Sequence, residues 1–254
     1  MFEAQKTGIL LVILALAALF LYWIRKARTQ EIHLRRIPGL EALDDAVGRA
    51  AEMGRPVLFA TGILGLNNIA VLAAMGILRR VAQKAAEYQV GFLMPNADPI
   101  VMTTAQEIVK EAYQSAGRPD LISEASVFYL TSDQFGYAAG VDGVMLREKP
   151  GAVFLQGYFY AESLILAETA QSVGAIQIAG TTATTQLPFF VVACDYVLIG
   201  EEMLAASAVL SREPNLLGSI KAEDWAKAGI ALFLLVAVVL KIFGIDLAPL
   251  LNTR

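Results

Sequence analysis

Residues that carry chemistry are scarce in this chain, and their scarcity excludes several classes of protein. The chain has one cysteine, Cys194, and one histidine, His33. A single cysteine excludes an internal disulfide and fits a reducing compartment, and the two residues together cannot form a His/Cys metal cluster. The net charge is −4, so no general basic footprint indicates nucleic-acid binding. The sequence indicates no metal site and leaves any cofactor unknown.

The familiar catalytic and nucleotide-binding motifs are also missing. No Gly-x-Gly-x-x-Gly follows the first predicted strand, where TGILG at 61–65 is only loosely glycine-bearing and has no lysine for phosphate. No P-loop and no Gly-x-Ser-x-Gly elbow occurs. A Ser-His-Asp triad would need His33, which lies about nine residues beyond the first apolar run. Cys194 follows an apolar stretch and is interpreted as an inert core residue. We therefore predict no catalytic residue.

Two long apolar runs account for most of the surplus hydrophobicity. The apolar fraction is 56% and the mean hydropathy is +0.56, against roughly 45–50% apolar residues in soluble domains. Residues 8–24 carry no charge, and Tyr22 and Trp23 close the run as interfacial aromatics do. Residues 228–247 form the second run, in which Lys241 can extend to the far interface or pair with a partner carboxylate. Both runs are predicted to be transmembrane helices.

The distribution of basic residues predicts the orientation in the membrane. Five follow the first run and only Lys6 precedes it; they are Arg25, Lys26, Arg28, Arg35 and Arg36. The positive-inside rule therefore predicts a protein of the cell membrane with its bulk in the cytoplasm and both termini outside. A cleaved signal peptide with Ala-Leu-Ala at 15–17 is the competing interpretation, but it needs positive charge before the run. The predicted domains are an N-terminal anchor (1–28), a cytoplasmic α/β domain (29–220) and a C-terminal transmembrane helix with a short tail (221–254).

Short apolar strands alternate with helices between the two runs. Strands are predicted at 57–60, 90–94, 126–130, 152–155, 175–179 and 196–199. Helices are predicted at 40–53, 69–88, 100–116, 134–146, 158–171 and 201–210. Strands that are apolar throughout and separated by helices are typical of a sheet that is covered on both faces. The predicted fold class is α/β, a Rossmann-like three-layer sandwich with a mostly parallel sheet, flanked by two transmembrane helices.

Polar residues cluster where the predicted strands end, the edge at which open α/β sheets bind ligands. The candidate ligand-binding residues there are Thr61, Asn96, Asp98, Asp133, Glu162, Thr181, Thr182, Thr185, Gln186 and Glu201. Helix capping is the alternative for the Asn, Asp and Glu positions. The turn at 181–186 holds four threonines and a glutamine, more than one cap needs, although it can also satisfy its own backbone or face a neighbouring subunit. Glu162 and Glu168, six residues apart, lie on different helix faces and form no acid–base pair.

Other features favour assembly. Aromatic residues are concentrated at 158–160 and 189–190, and aromatics are enriched at interface centres, although core packing is the alternative. Small residues dominate stretches such as 70–76 and 138–143 and allow close approach of neighbouring helices.

Several segments resemble a prokaryotic family of membrane-anchored proteins defined only as a domain of unknown function. The segments are IPGLEAL (37–43), GRPVLF (54–59), REKP (147–150), YAES (160–163) through ET (168–169), QIAGT (177–181), and QLPFF (186–190) through GEE (200–202). The resemblance spans about residues 36–217. It implies a single membrane-anchored domain and carries over no activity and no catalytic residue.

Taken together, the sequence predicts a membrane-anchored, self-associating scaffold or structural subunit of a membrane assembly, without catalysis. The alternative is a membrane-tethered ligand-binding or enzymatic domain with its site at the strand ends. A third hypothesis is an accessory subunit of a transporter or respiratory complex, in which Lys241 meets a partner helix. The expected partners are the lipid bilayer, further copies of the chain and, in the third case, another membrane protein.

Overall fold

The chain divides into two compact units. A computed structural model describes residues 7–30, 37–121 and 126–242; His33 lies outside these residues. The helical hairpin unit comprises Met1–Arg35 and Arg212–Arg254, and the sheet unit comprises Arg36–Ser211. The sheet unit is therefore inserted, in sequence, between the two halves of the hairpin unit.

The sheet unit alternates strands and helices along its length. The order is α2 (Pro38–Glu52), β1 (Val57–Gly62), α3 (Ile69–Glu87), β2 (Phe92–Asn96), α4 (Pro99–Ser115), β3 (Val127–Tyr129), α5 (Gln134–Glu148), β4 (Ala152–Tyr158), α6 (Glu162–Ser172), β5 (Ile176–Thr181), α7 (Leu187–Ala193), β6 (Tyr196–Ile199) and α8 (Glu201–Ser211). The hairpin unit contributes α1 (Thr7–Thr29) and α9 (Pro214–Ile242).

The six strands form one parallel sheet in the order β3-β2-β1-β4-β5-β6. This is the strand order of doubly wound dinucleotide-binding sheets. β2 and β3 are added to one side of β1, and the last three strands are added to its other side, beginning with β4. The predicted fold class, an α/β sandwich with a parallel sheet and two apolar helices at the ends of the chain, is confirmed. Since the strands are parallel, all six carboxyl ends lie along one edge.

Apolar side chains cover both faces of the sheet. On the first face, Phe59 and Phe154 stack at 6.2 Å between ring centroids beneath α2, α3, α4 and α8. On the second face, Leu58 and Leu155 pack against α5 and α6. Every residue of β1 is buried, because the strand is central and both its faces are covered. This explains why the strands read as continuous apolar runs.

The hairpin unit is a pair of helices long and apolar enough to cross a membrane. They approach closely at Gly218, where an added Cβ would lie 2.6 Å from the Cα of Ile24. Trp23 and Trp225 stack with ring centroids 6.1 Å apart, and Arg28 donates a hydrogen bond to Asn215 at 3.0 Å. A small residue, an aromatic pair and one polar contact thus hold the two helices together at this end.

The largest differences between predicted and observed boundaries concern β4, α6 and α9. β4 continues to Tyr158 and α6 begins only at Glu162, whereas a helix was predicted from residue 158. α9 begins at Pro214, well before the apolar run at 228. Its first turns are amphipathic rather than apolar, with an ion pair between Lys227 and Glu223 at 3.0 Å. Hydropathy locates the apolar part of such a helix and not its start.

Candidate functional site

The sheet itself separates the predicted site residues into two groups. Side chains alternate between the faces along each strand, so Thr61 and Asn96 lie on the first face, with Phe59 and Met94. Thr181 lies on the second face, with Asp133, Glu162 and Gln186 at the starts of α5, α6 and α7. Asp98 and Glu201 lie at the starts of α4 and α8, which cover the first face. The strand ends therefore present two separate polar regions rather than one crevice.

A buried polar row, made of Asn96, Thr61 and Gln156, ends the first face on three adjacent strands. All three residues are at most 1% exposed. Asn96 Nδ2 donates to the carbonyl oxygen of Met94 at 2.8 Å, and Gln156 Nε2 donates to that of Ile178 at 2.9 Å. The amide oxygens of Asn96 and Gln156 have no hydrogen-bond partner among the described residues. Because buried acceptors are nearly always paired, these two oxygens suit a group that donates hydrogen bonds.

Sequence analysis did not identify Gln156 as a site residue. The available signal was a glutamine inside an otherwise apolar strand, since β4 reads AVFLQGY. Gly180 of β5 leaves room for this side chain, because a Cβ at that position would overlap the Gln156 amide oxygen.

Two glycines allow the ends of β1 and β4 to touch. Gly62 has a φ of 80°, and an added Cβ would overlap the carbonyl oxygen of Tyr158. Gly157 has a φ of 150°, and its Cβ would overlap the carbonyl oxygen of Thr61. The backbones of β1 and β4 are therefore in close contact where the strand order reverses, next to the position of the ligand crevice in doubly wound sheets.

On the second face, Glu162 organises a hydrogen-bonded cluster between α5, α6 and α7. Its carboxylate is fully buried and accepts from Gln134 Nε2 at 2.6 Å and from the backbone N–H of Tyr160 at 3.0 Å. The next residue, Ser163, donates its hydroxyl proton to Gln186 Oε1 at 2.7 Å. Glu162 occupies the first turn of α6, where the helix dipole favours negative charge. Gln134, 28 residues away in sequence, was not predicted.

Tyr137 lies beneath this cluster. It is fully buried, and its hydroxyl donates to the carbonyl oxygen of Pro95 at 3.3 Å. Burial raises the pKa of Tyr137, and the nearby charge of Glu162 raises it further. The phenol therefore stays protonated as a structural donor that ties α5 to β2.

The other predicted residues divide between caps and surface positions. Asp98 caps α4, accepting from the N–H groups of Ile100 at 2.8 Å and Val101 at 2.9 Å. Asp133 caps α5 through the N–H of Gly136 at 2.6 Å. Thr181 Oγ1 accepts from the N–H of Ala183 at 3.1 Å.

Thr182 is half-buried, whereas Thr185 and Glu201 are exposed. The hydroxyl of Thr185 accepts a hydrogen bond from its neighbour Gln186 at 3.3 Å. Within the described residues, no group of three or more His, Cys, Asp or Glu side chains is placed to hold a metal ion.

An exposed apolar surface lies at the β6 end of the sheet. We call it the β6 edge surface; it consists of Phe189, Val191 and Val192 of α7 with Tyr196 and Ile199 of β6, and each side chain is at least 41% exposed. Val192 reaches 88%. β6 is an edge strand, paired on one side only among the described residues. It contains no lysine or proline, two residues with which natural edge strands discourage pairing, and it is only four residues long.

Polar contacts to β5 fix the position of this surface. Asp195 Oδ2 accepts from the backbone N–H of Gln177 at 2.8 Å, and Gln177 Nε2 donates to the carbonyl oxygen of Ala193 at 3.3 Å. The Cys194 thiol donates to Gln177 Oε1 at 3.5 Å. Burial raises the pKa of Cys194 to about 12, and the charge of Asp195 adds to the rise. Cys194 is thus a structural thiol rather than a nucleophile.

A surface pocket lies at the opposite edge, away from every predicted site residue. It encloses about 270 Å³ beside the amino ends of β1 and β2. Its lining includes Arg55, whose guanidinium donates to the carbonyl oxygen of Val173 at 3.3 Å. This hydrogen bond joins the connection between α2 and β1 to the connection between α6 and β5.

A family model described as a domain of unknown function, DUF6754, matches residues 1–250. No curated protein matches the chain. No solved structure matches it either.

Proposed function

The chain belongs to the DUF6754 family, and we propose that it is a membrane-anchored, non-catalytic scaffold that holds another protein through the β6 edge surface. The observation that supports this proposal is the combination of five exposed apolar side chains with an edge strand that has no lysine or proline. Exposed apolar side chains gathered on two neighbouring elements favour protein interaction. An unpaired strand edge adds backbone hydrogen-bonding groups to the same surface.

The two apolar helices supply the anchor in this proposal. α1 and α9, which are long and apolar enough to cross a membrane, form the proposed anchor. Arg25, Lys26 and Arg28 at the carboxyl end of α1 support a cytoplasmic location for that end. The sheet unit, which follows α1 and precedes α9, is then cytoplasmic, and both termini are outside. The docking surface is thereby kept in the cytoplasm and tethered to the membrane.

Site-directed photocrosslinking in native membranes tests the scaffold function. A benzoylphenylalanine at position 192 is expected to give a discrete heavier adduct, because Val192 is the most exposed residue of the β6 edge surface. The matched control is position 146. Leu146 is also an exposed aliphatic residue in the last turn of its helix, at 57% exposure, and is expected to give no adduct. Absence of an adduct at 192 would contradict the proposal.

The adduct's mass identifies the class of partner. An adduct of twice the chain mass indicates a second copy, as the sequence predicted, whereas another mass indicates a different protein. Gentle detergent extraction followed by mass photometry gives an independent measure of self-association.

A second candidate function, ligand binding by the sheet unit, is favoured by the buried polar row. The unpartnered oxygens of Asn96 and Gln156 are acceptors for a donor such as a hydroxyl, an ammonium or a hydrated cation. A thermal-shift screen of polar metabolites and metal ions tests it. Gln156→Met is expected to abolish the shift, while Gln186→Ala, in the separate second-face cluster, is expected to preserve it. A shift that survives Gln156→Met would exclude the polar row as the site.

A further inference from the structure

The carboxyl end of α1 carries three cations that no carboxylate neutralises within the described residues. Arg25, Lys26 and Arg28 follow directly on the first apolar run. The ammonium of Lys26 lies over the ring of Trp23, 4.7 Å from its centroid. Arg28 donates a hydrogen bond to the neutral amide of Asn215 at 3.0 Å. The contacts that hold these side chains therefore leave their positive charges uncompensated.

The acidic residues of the neighbouring helix, α9, are matched by its own cations. Glu223 pairs with Lys227 at 3.0 Å, and Asp224 pairs with Lys221 at 4.0 Å. The two residues that precede α9, at positions 212 and 213, are one arginine and one glutamate, so they add no net charge. This end of the hairpin unit is therefore net positive, and the excess comes from α1.

Two of the cations continue an exposed apolar row along α1. We call this row the α1 stripe; it consists of Leu14, Leu21, Arg25 and Arg28. The four residues are spaced seven, four and three positions apart, so they share one face of the helix. Leu14 is 56% exposed and Leu21 is 57% exposed, and both arginines are exposed as well. The α1 stripe is thus an uncovered apolar row that ends in two guanidinium groups.

This order of side chains matches the chemistry of an anionic phospholipid. Guanidinium groups bind phosphate through paired hydrogen bonds, and an apolar row suits an acyl chain. The bond to Asn215 uses one N–H of Arg28 and leaves the others for a phosphate. Residues 25–36 contain five basic side chains and one glutamate, and clusters of this size beside a membrane helix are typical of anionic-lipid binding. A free anion would use the cations but not the apolar row.

We propose that the α1 stripe binds an anionic phospholipid, whose phosphate lies between the guanidinium groups of Arg25 and Arg28 and whose acyl chain runs along Leu21 and Leu14. This inference rests on the proposed membrane anchor and assigns the class of lipid that the anchor selects. Because Asn215 of α9 holds Arg28 in place, the site depends on the pairing of the two helices.

Energy transfer from tryptophan to a lipid with a pyrene-labelled acyl chain tests this inference. Both tryptophans of the chain, Trp23 and Trp225, stack at this end of the hairpin unit. The full chain is placed in nanodiscs of phosphatidylcholine with a trace of pyrene-labelled phosphatidylglycerol or phosphatidylcholine. Transfer to the phosphatidylglycerol is expected to be greater and to fall as sodium chloride is raised, because charge attraction is screened. An excess of inorganic phosphate, which lacks acyl chains, is expected not to reduce it when ionic strength is held constant.

Matched variants locate the lipid. Arg25→Gln is expected to lower the preference for phosphatidylglycerol about fivefold, whereas Arg25→Lys, which keeps the charge, is expected to retain most of it. Lys241→Gln, which removes a cation from the last turn of α9, controls for net charge and is expected to leave the preference unchanged. Equal transfer to the two lipids would overturn the inference. An unchanged preference in Arg25→Gln, or displacement by inorganic phosphate, would do the same.

A separate measurement distinguishes this inference from the proposed anchor. Membranes that contain the chain are washed with alkaline carbonate, which releases proteins that are not embedded in the bilayer. A retained chain that shows no preference for phosphatidylglycerol would overturn the lipid site and leave the anchor standing. Release of the chain by the wash would reject the anchor and the lipid site together. The photocrosslink at position 192 reports on the β6 edge surface and is independent of both outcomes.

Discussion

Replacing Gly62 by alanine is expected to destabilise the sheet unit markedly. Gly62 has a φ of 80°, a conformation that costs an alanine about 1–2 kcal/mol. The added Cβ would also overlap the carbonyl oxygen of Tyr158, which is backbone and cannot rotate away. Relieving the overlap requires β1 and β4 to separate, at the overpacking cost of about 1–3 kcal/mol. The two effects together predict a loss of about 2–5 kcal/mol.

Two other glycines separate the backbone effect from the steric one. Gly54 has a φ of 63° with nothing within 4 Å of an added Cβ, so Gly54→Ala carries only the backbone cost. Gly143 lies inside α5 with similarly open space, and Gly143→Ala is expected to stabilise by about 0.5–1 kcal/mol. The sheet unit has about 180 residues, for which each kcal/mol shifts the midpoint by roughly 2–4 °C. Gly62→Ala should therefore unfold about 2–12 °C below Gly54→Ala.

The assay follows the exposure of Cys194 during heating in detergent, using a dye that fluoresces on reaction with thiols. Cys194 is the single cysteine and lies in the sheet unit, whereas both tryptophans lie in the hairpin unit. Thiol exposure therefore reports on the sheet, which tryptophan fluorescence does not. A midpoint for Gly62→Ala equal to that of Gly54→Ala would refute the close approach of β1 and β4.

Three further predictions concern the hairpin unit and the titrating groups. Gly218→Leu is expected to separate α1 from α9 and to change the emission of the stacked tryptophans, whereas Gly229→Leu, where nothing lies within 4 Å, should not; identical spectra would contradict the packing. Alkylation of Cys194 by iodoacetamide should stay slow up to pH 9 and accelerate toward pH 12, because its pKa is raised to about 12 by burial and Asp195; rapid reaction at pH 8 would contradict this. Burial raises the pKa of Tyr113 to about 12, and an unfolded tyrosine ionises near 10; stability should therefore fall between pH 10 and pH 12. Tyr113→Phe should diminish that fall, and an unchanged pH profile would show that Tyr113 does not cause it.

Periodicity and local chemistry predicted most of the sheet unit. The apolar stretches at 57–60 and 152–155 became β1 and β4 because a central parallel strand is buried on both faces and must be apolar throughout. Asp98 and Asp133 were candidate ligand-binding residues with capping as the alternative, and capping could be foreseen because it depends only on residues two or three positions away. These features are encoded locally.

Features that depend on distant residues were not predicted. Gln134 reaches Glu162 only because α5 and α6 are neighbours on the second face. The side chain of Gln156 fits into the polar row because Gly180 of β5 leaves space for it. The end of β4 was misplaced because Gly157 and Tyr158 continue the strand against β1, a contact that requires both strands. Long-range packing decides such positions, and a single sequence does not display it.

The strand order has a consequence for the protein as it is synthesised. β1 is made first, yet it needs β2 on one side and β4 on the other, and β4 begins 95 residues after β1, at Ala152 rather than Val57. At translation rates of about 5–20 residues per second, roughly 5–20 s pass between the two strands. During that interval β1, a strand that is buried along its whole length in the folded sheet, has one open edge. In the proposed anchored arrangement α1 is translated earlier still, so the growing sheet would be attached to the membrane before β4 pairs with that edge.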